Sequence, residues 1–122
     1  MKTNSVTLPV PNGLLFIQDP SIWDPPEPVD DSGIWASPAG ITFGCMHRDD
    51  GDTDVAMGKM QTIEQASHLV FDGQVDTPKL RIVVQIVPGT IILEQFVTKT
   101  KTRVKIWTDG SPRPGKVIVG VD

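Results

Sequence analysis

The side chains able to do chemistry in this 122-residue chain are few and scattered. Asp50, Asp52 and Asp54 alternate as carboxylates do in calcium loops, where a hard cation needs several oxygens converging on it. The rest of that loop grammar fails, because a glycine is due at position 55 and an acid at 61, and the chain has Val55 and Gln61. Asp50-Gly51 is in any case turn chemistry, since aspartate tolerates tight turns and glycine supplies a positive φ. Calcium held between loops of a β-sandwich, adding Asp30, Asp31 or Asp109, is the alternative. Cys45 and His47, two apart on a strand, make half of a metal or nucleophile site. His68 is the other histidine and there is no second cysteine to complete it. No spacing supports a glycosidase-like carboxylate pair. The chain therefore predicts no catalytic residue, no metal and no cofactor, and a protein that is not an enzyme.

Two other groups of residues suggest binding. Lys101, Arg103 and Lys105 line one strand face, with Lys99 and Lys116 nearby. They lack the interleaved aromatics that stack bases, since tyrosine is absent. A solvated row protecting a sheet edge explains them better than nucleic-acid binding. Trp23 and Trp35 bracket an acidic segment, and an aromatic with adjacent carboxylates is a common hot spot against a basic partner. Core packing is the competing role for all three tryptophans.

The elements that must position these residues are strands. Eleven prolines and eleven glycines, spread along the chain, imply many turns and few long helices. Val6, Leu8 and Val10 alternate over Ser5–Val10, which Pro9 and Pro11 confine to an edge. Asn12-Gly13 is a turn signal and Leu14–Gln18 a short apolar strand. Ile41, Phe43 and Cys45 alternate, and Val55 and Met57 resume the alternation after Asp50-Gly51, so Gly33–Met57 is expected to contain a buried hairpin turning there. A capping-box-like Thr62 and Gln65 make Lys59–His68 the one place for a short helix. Leu69–Phe71 is apolar and ends at a turn over Asp72-Gly73. Lys79–Val87 and Ile91–Thr98 form a second hairpin, with Val83, Val87, Ile92 and Phe96 apolar on the faces that should be polar. Thr100–Trp107 points Val104 and Ile106 inward, and Lys116–Val121 closes the chain with Val117, Val119 and Val121 on one side. Seven to nine short strands at such spacing predict an all-β protein, a single antiparallel β-sandwich or flattened barrel over 1–122.

One segment breaks the pattern. Residues 19–32 carry four prolines and five acids without a base, which excludes a helix or a central strand and predicts a surface arm. The arm concentrates a wider asymmetry: residues 1–60 hold nine acids against three bases, residues 61–122 six acids against eight bases, for a net charge of −4. An acidic front half repels nucleic acid and attracts a basic protein surface. No apolar run is long enough to span a membrane. MKTNSVTLPV lacks the apolar core of a secretory signal. A lone cysteine suits a reducing compartment. The expected address is cytoplasmic.

Trp23-Asp24, a spacer, Gly33-Ile34-Trp35-Ala36, Ala39-Gly40-Ile41-Thr42-Phe43-Gly44, an acidic turn and Val55 together resemble the competence protein J group over residues 14–57. Val104–Trp107 and Val117–Val121 occupy plausible places beyond. That group comprises small all-β bacterial proteins whose founding member inhibits a DNA-entry nuclease in the cytoplasm. This chain departs from it in a proline-rich spacer and more basic late strands. The resemblance implies a stoichiometric inhibitor or immunity-type protein that masks a nuclease or toxin with an acidic surface. The residues expected to bind that basic partner are Trp23, Asp24, Glu27, Asp30, Asp31 and Trp35, with Asp50 and Asp52 as a second contact. The competing expectations are a calcium- or ligand-binding sandwich module and a self-assembling subunit, a homodimer being its simplest form.

Overall fold

In a computed structural model, described for residues 4–22, 24–64, 68–87 and 89–122, the chain forms two five-stranded sheets. The strands are β1 (Asn4–Leu8), β2 (Leu14–Gln18), β3 (Ile34–Ser37), β4 (Gly40–Gly44), β5 (Thr53–Lys59), β6 (His68–Asp76), β7 (Arg81–Ile86), β8 (Thr90–Phe96), β9 (Lys101–Thr108) and β10 (Lys116–Val121). One sheet has the order β1-β5-β10-β9-β6, the other β3-β4-β2-β7-β8. All pairings are antiparallel except that of β5 with β10, where Val117 lies beside Val55 and Val119 beside Met57. The protein is all-β, as expected, but among the described residues it has ten strands where seven to nine were expected, and one of their pairings is parallel.

The alternating residues meet between the sheets. Leu15, Ile17, Ile41, Phe43, Ile82 and Val84 from one sheet pack on Val55, Met57, Val104, Ile106, Val117 and Val119 from the other. Burying β-branched and aromatic side chains on facing pleated surfaces is the main favourable term for such a domain. The two sides of the sandwich are stitched by polar contacts: the Asp76 amide donates to the Pro38 carbonyl at 2.7 Å, and Asn4 Nδ2 to the Glu94 carbonyl at 3.2 Å.

A second, smaller cluster lies outside the core. Trp107, on the outer face of β9, is covered by Ile63 and Ile118, with Ala56 and Met60 against it. Its ring fills the space over Gly120, where an added Cβ would come within 2.9 Å of it. Trp107 is thus buried, but on the far side of its sheet from the main core.

Several expected elements are corrected. The hairpin at Asp50-Gly51 does not form: β4 and β5 belong to different sheets, and residues 45–52 carry the chain between them. The hairpin in this region is β3–β4, turning at Pro38-Ala39, with Ser37 opposite Gly40. Asp72-Gly73 is not a turn but the middle of β6, where glycine leaves room for the Phe71 ring that an added Cβ would meet at 2.8 Å. Among the described residues no helix begins between Lys59 and His68; Met60–Ile63 is a turn, and Gln65 lies outside the described residues. The Lys101, Arg103 and Lys105 row is not at an edge, because β9 is flanked by β10 and β6. Two of its three members are paired, Arg103 with Asp72 at 2.8 Å and Lys101 with Asp76 at 3.7 Å. The β7–β8 hairpin forms as expected. Of its apolar residues on the polar side, Val83 is fully buried and Phe96 is 68% exposed.

Candidate functional site: the acidic arm and the end groove

The arm is fastened at three points. At its root the fully buried Asp19 carboxylate accepts from the Ser21 amide and hydroxyl at 2.9 and 2.7 Å, and from the Lys79 amide at 2.9 Å. Three donors offset the cost of taking a carboxylate out of water. Midway, the buried Thr42 hydroxyl donates to the Pro26 carbonyl at 2.6 Å, holding the arm across the outer face of the sheet. On that face Phe16, Gln18, Val83 and Gln85 are also buried, with Gln18 Nε2 bonded to Gln85 Oε1 at 3.0 Å. This is why β7 shows a continuous apolar run: Ile82 and Val84 face the core and Val83 the arm's side.

At its far end the arm folds back on itself. Asp30 Oδ1 accepts from the Ser32 amide at 2.9 Å and from Trp35 Nε1 at 3.1 Å. The Ser32 hydroxyl, then the Ser32 amide, and to a lesser degree the Trp35 indole hold the Asp30 carboxyl below its ordinary 3.8. The hydroxyl also bonds the Ile34 carbonyl at 3.0 Å, so the amide is the firmer donor to Asp30. The prolines leave few free donors along the arm, and its exposed surface is acidic: Asp24, Glu27, Asp30 and Asp31, with Val29 79% exposed among them.

Beside the arm's end lies a groove of about 460 Å³, lined by Trp35, Asp30 and Asp31, by Leu14 at the start of β2, and by Pro112 and Arg113. Backbone bonds gather three loops here. The Cys45 amide donates to the Gly13 carbonyl (2.8 Å), Met46 to Pro114 (3.0 Å) and Arg48 to Val10 (3.1 Å). Gly13 has φ +62°, and a Cβ there would sit 2.7 Å from the Cys45 carbonyl oxygen, so only glycine allows this approach. The 3-10 turn Arg48–Asp50 packs on the 3-10 turn Pro11–Gly13 that borders the groove.

The structure therefore brings Asp30, Asp31 and Trp35 to one groove and puts exposed Asp50 and Asp52 on the adjoining loop at the same end of the sandwich. Asp24 and Glu27 sit further back along the arm, and Trp23 lies outside the described residues. Asp54 is taken up by β1, accepting from the Thr7 hydroxyl at 2.5 Å. Among the described residues no three metal-ligating side chains converge.

Cys45 and His47 are not on a strand, because β4 ends at Gly44. Burial pushes the Cys45 thiol up to about 11, with the neighbouring Thr53 and Arg113 only partly opposing it. His47 Nδ1 accepts from the Asp49 amide at 3.1 Å, closing the acidic turn. Pro112 and Arg113 were missed from the sequence, where their sole signal is the alternation Pro112-Arg113-Pro114.

The class these observations define is a two-sheet sandwich with an acidic arm and an end groove, with no convergent metal-ligating cluster among the described residues. The crystal structure of ComJ, inhibitor of the DNA degrading activity of NucA, from Bacillus subtilis, is similar to it with a TM-score of 0.70, over 98% of this chain and 96% of that one at 13% identity. The resemblance to the competence protein J group, carried in the sequence by spacing and residue type, is thus present in the three-dimensional fold. No family model matches the chain, and no curated protein matches it in sequence.

Proposed function

We propose that this protein is a stoichiometric inhibitor, of the immunity type, that binds a basic DNA-degrading nuclease or toxin in the bacterial cytoplasm and masks it. The observation that carries this reading is the likeness, over nearly the whole of both chains, to a protein described as a nuclease inhibitor. The acidic end supports a mechanism. A nuclease surface that holds DNA is positive, and carboxylates on an arm fastened to the sandwich compete with phosphates for it while long-range charge speeds encounter. Because the arm is already fastened at Asp19, Thr42 and Asp30, little ordering entropy opposes binding. Asp24, Glu27, Asp30, Asp31 and Trp35, together with Trp23, form the main contact in this reading, and Asp50 and Asp52 the second.

The test is a DNA-cleavage assay in which the protein is titrated into NucA and into any nuclease encoded beside its own gene. Loss of cleavage that is complete near equimolar protein at low salt, and weaker as salt rises, is the expected result. The double reversal Asp30→Lys and Asp31→Lys slows association about tenfold or more. Cleavage that continues unchanged under a large excess of inhibitor overturns the reading.

A further inference from the structure

We infer that the groove between Trp35 and Arg113 is a receptor for one arginine side chain of the partner, its guanidinium lying on the Trp35 indole and against the Asp31 carboxylate. This rests on the inhibitor reading and adds the side chain that is recognised. The groove's walls combine flat apolar surfaces, Trp35, Pro28 and Pro112, with one anion that has nothing to hold. Asp30 and Asp31 divide the work. Asp30 is engaged by the Ser32 amide and by Trp35 Nε1, which fixes the indole. Asp31 is exposed and, among the described residues, has no hydrogen bond or ion pair.

A planar cation is what such a site fits. Guanidinium stacks on an aromatic face and offers paired donors to a carboxylate, whereas a lysine ammonium is a compact, strongly hydrated point charge. Charge complementarity with a positive nuclease surface points the same way. Arg113 sets the sign of the strongest test. It lines the same groove and, among the described residues, makes no ion pair with Asp31. It therefore repels an incoming arginine, and removing it strengthens binding. If the groove instead received a carboxylate or a phosphate, Arg113 would be the reader and its removal would weaken binding.

The experiment follows the Trp35 Nε1–H signal by NMR while acetyl-Gly-Arg-Gly amide is added, with the lysine and glutamate analogues in parallel. The arginine peptide gives a saturable shift, the lysine peptide a weaker one and the glutamate peptide none. Asp31→Asn weakens the arginine peptide about three- to fivefold, the scale of an exposed ion pair, and Arg113→Ala tightens it. Absence of a shift up to about 50 mM peptide, a response to glutamate, or weaker binding in Arg113→Ala overturns the inference. The same variants, with Trp35→Leu and the more conservative Trp35→Phe, then enter the nuclease assay. Inhibition by the wild type that none of them alters removes the groove and leaves the inhibitor reading standing. An arginine response in a protein that inhibits no nuclease does the reverse.

Discussion

Asp30 spends both of its roles on one oxygen, which makes its protonation visible at a distance. The Ser32 and Trp35 donors bind the ionised carboxylate, so the folded pKa lies below the ordinary 3.8. A lowered pKa means that Asp30's contribution to stability is fully present above its unfolded value and is lost as pH falls through the folded one. The Trp35 indole proton, titrated by NMR, should therefore move with a midpoint below 3.8, and Asp30→Asn should abolish that step; a midpoint above it refutes the arrangement. That Asp30 and Trp35 stand together was legible in the sequence, because five positions separate them and their contact does not depend on what lies across the sandwich. Arg113 was not legible, since what gives it meaning is proximity to Asp31, some eighty positions earlier and on another loop. Cys45 and His47 failed for a local reason. The strand that was to carry both stops at Gly44, and the chain turns away to bond Gly13, Pro114 and Val10.

Among the described residues, the middle of the arm is held to the sheet by one side-chain hydroxyl, that of Thr42. Thr42→Val keeps the shape of the side chain but removes the bond to the Pro26 carbonyl, at a cost of about 1 kcal/mol if the carbonyl finds water and more if it does not. Lower melting temperature with faster protease cleavage within 24–33 is expected, while unchanged cleavage would show the arm to be held by its ends alone. Periodicity located most strands, including β2 at its observed bounds and the β7–β8 hairpin. It could not decide which strands are neighbours. Asp50-Gly51 has the composition of a tight hairpin turn, yet residues 45–52 are long enough to cross from one sheet to the other. The same blindness placed the basic row of β9 at an edge, when β6 covers it and supplies Asp72 and Asp76 as counter-ions. Gly73 misled in a similar way, since a glycine that makes room for Phe71 within a strand looks the same in sequence as one that makes a turn.

At the scale of the whole molecule, β10 is the strand that closes the larger sheet. It lies between β5 and β9, pairs in parallel with one and antiparallel with the other, and contributes Val117, Val119 and Val121 to the core. Deleting 116–122 should leave no cooperative thermal transition by circular dichroism, because it exposes the facing edges of two neighbours and removes three core side chains at once; a truncated protein that still melted sharply would show the remaining strands to be self-sufficient. The register of this sheet carries a further implication. Asn4 and Val119 both stand beside Met57, and Leu8 and Lys116 lie beside Thr53 and Asp54, so residues 4 and 121 share one end of the sheet while the groove and its loops occupy the other. A tether, reporter or sensor chip attached through either of those residues leaves the acidic end facing outward, and two copies joined through them present their grooves in opposite directions.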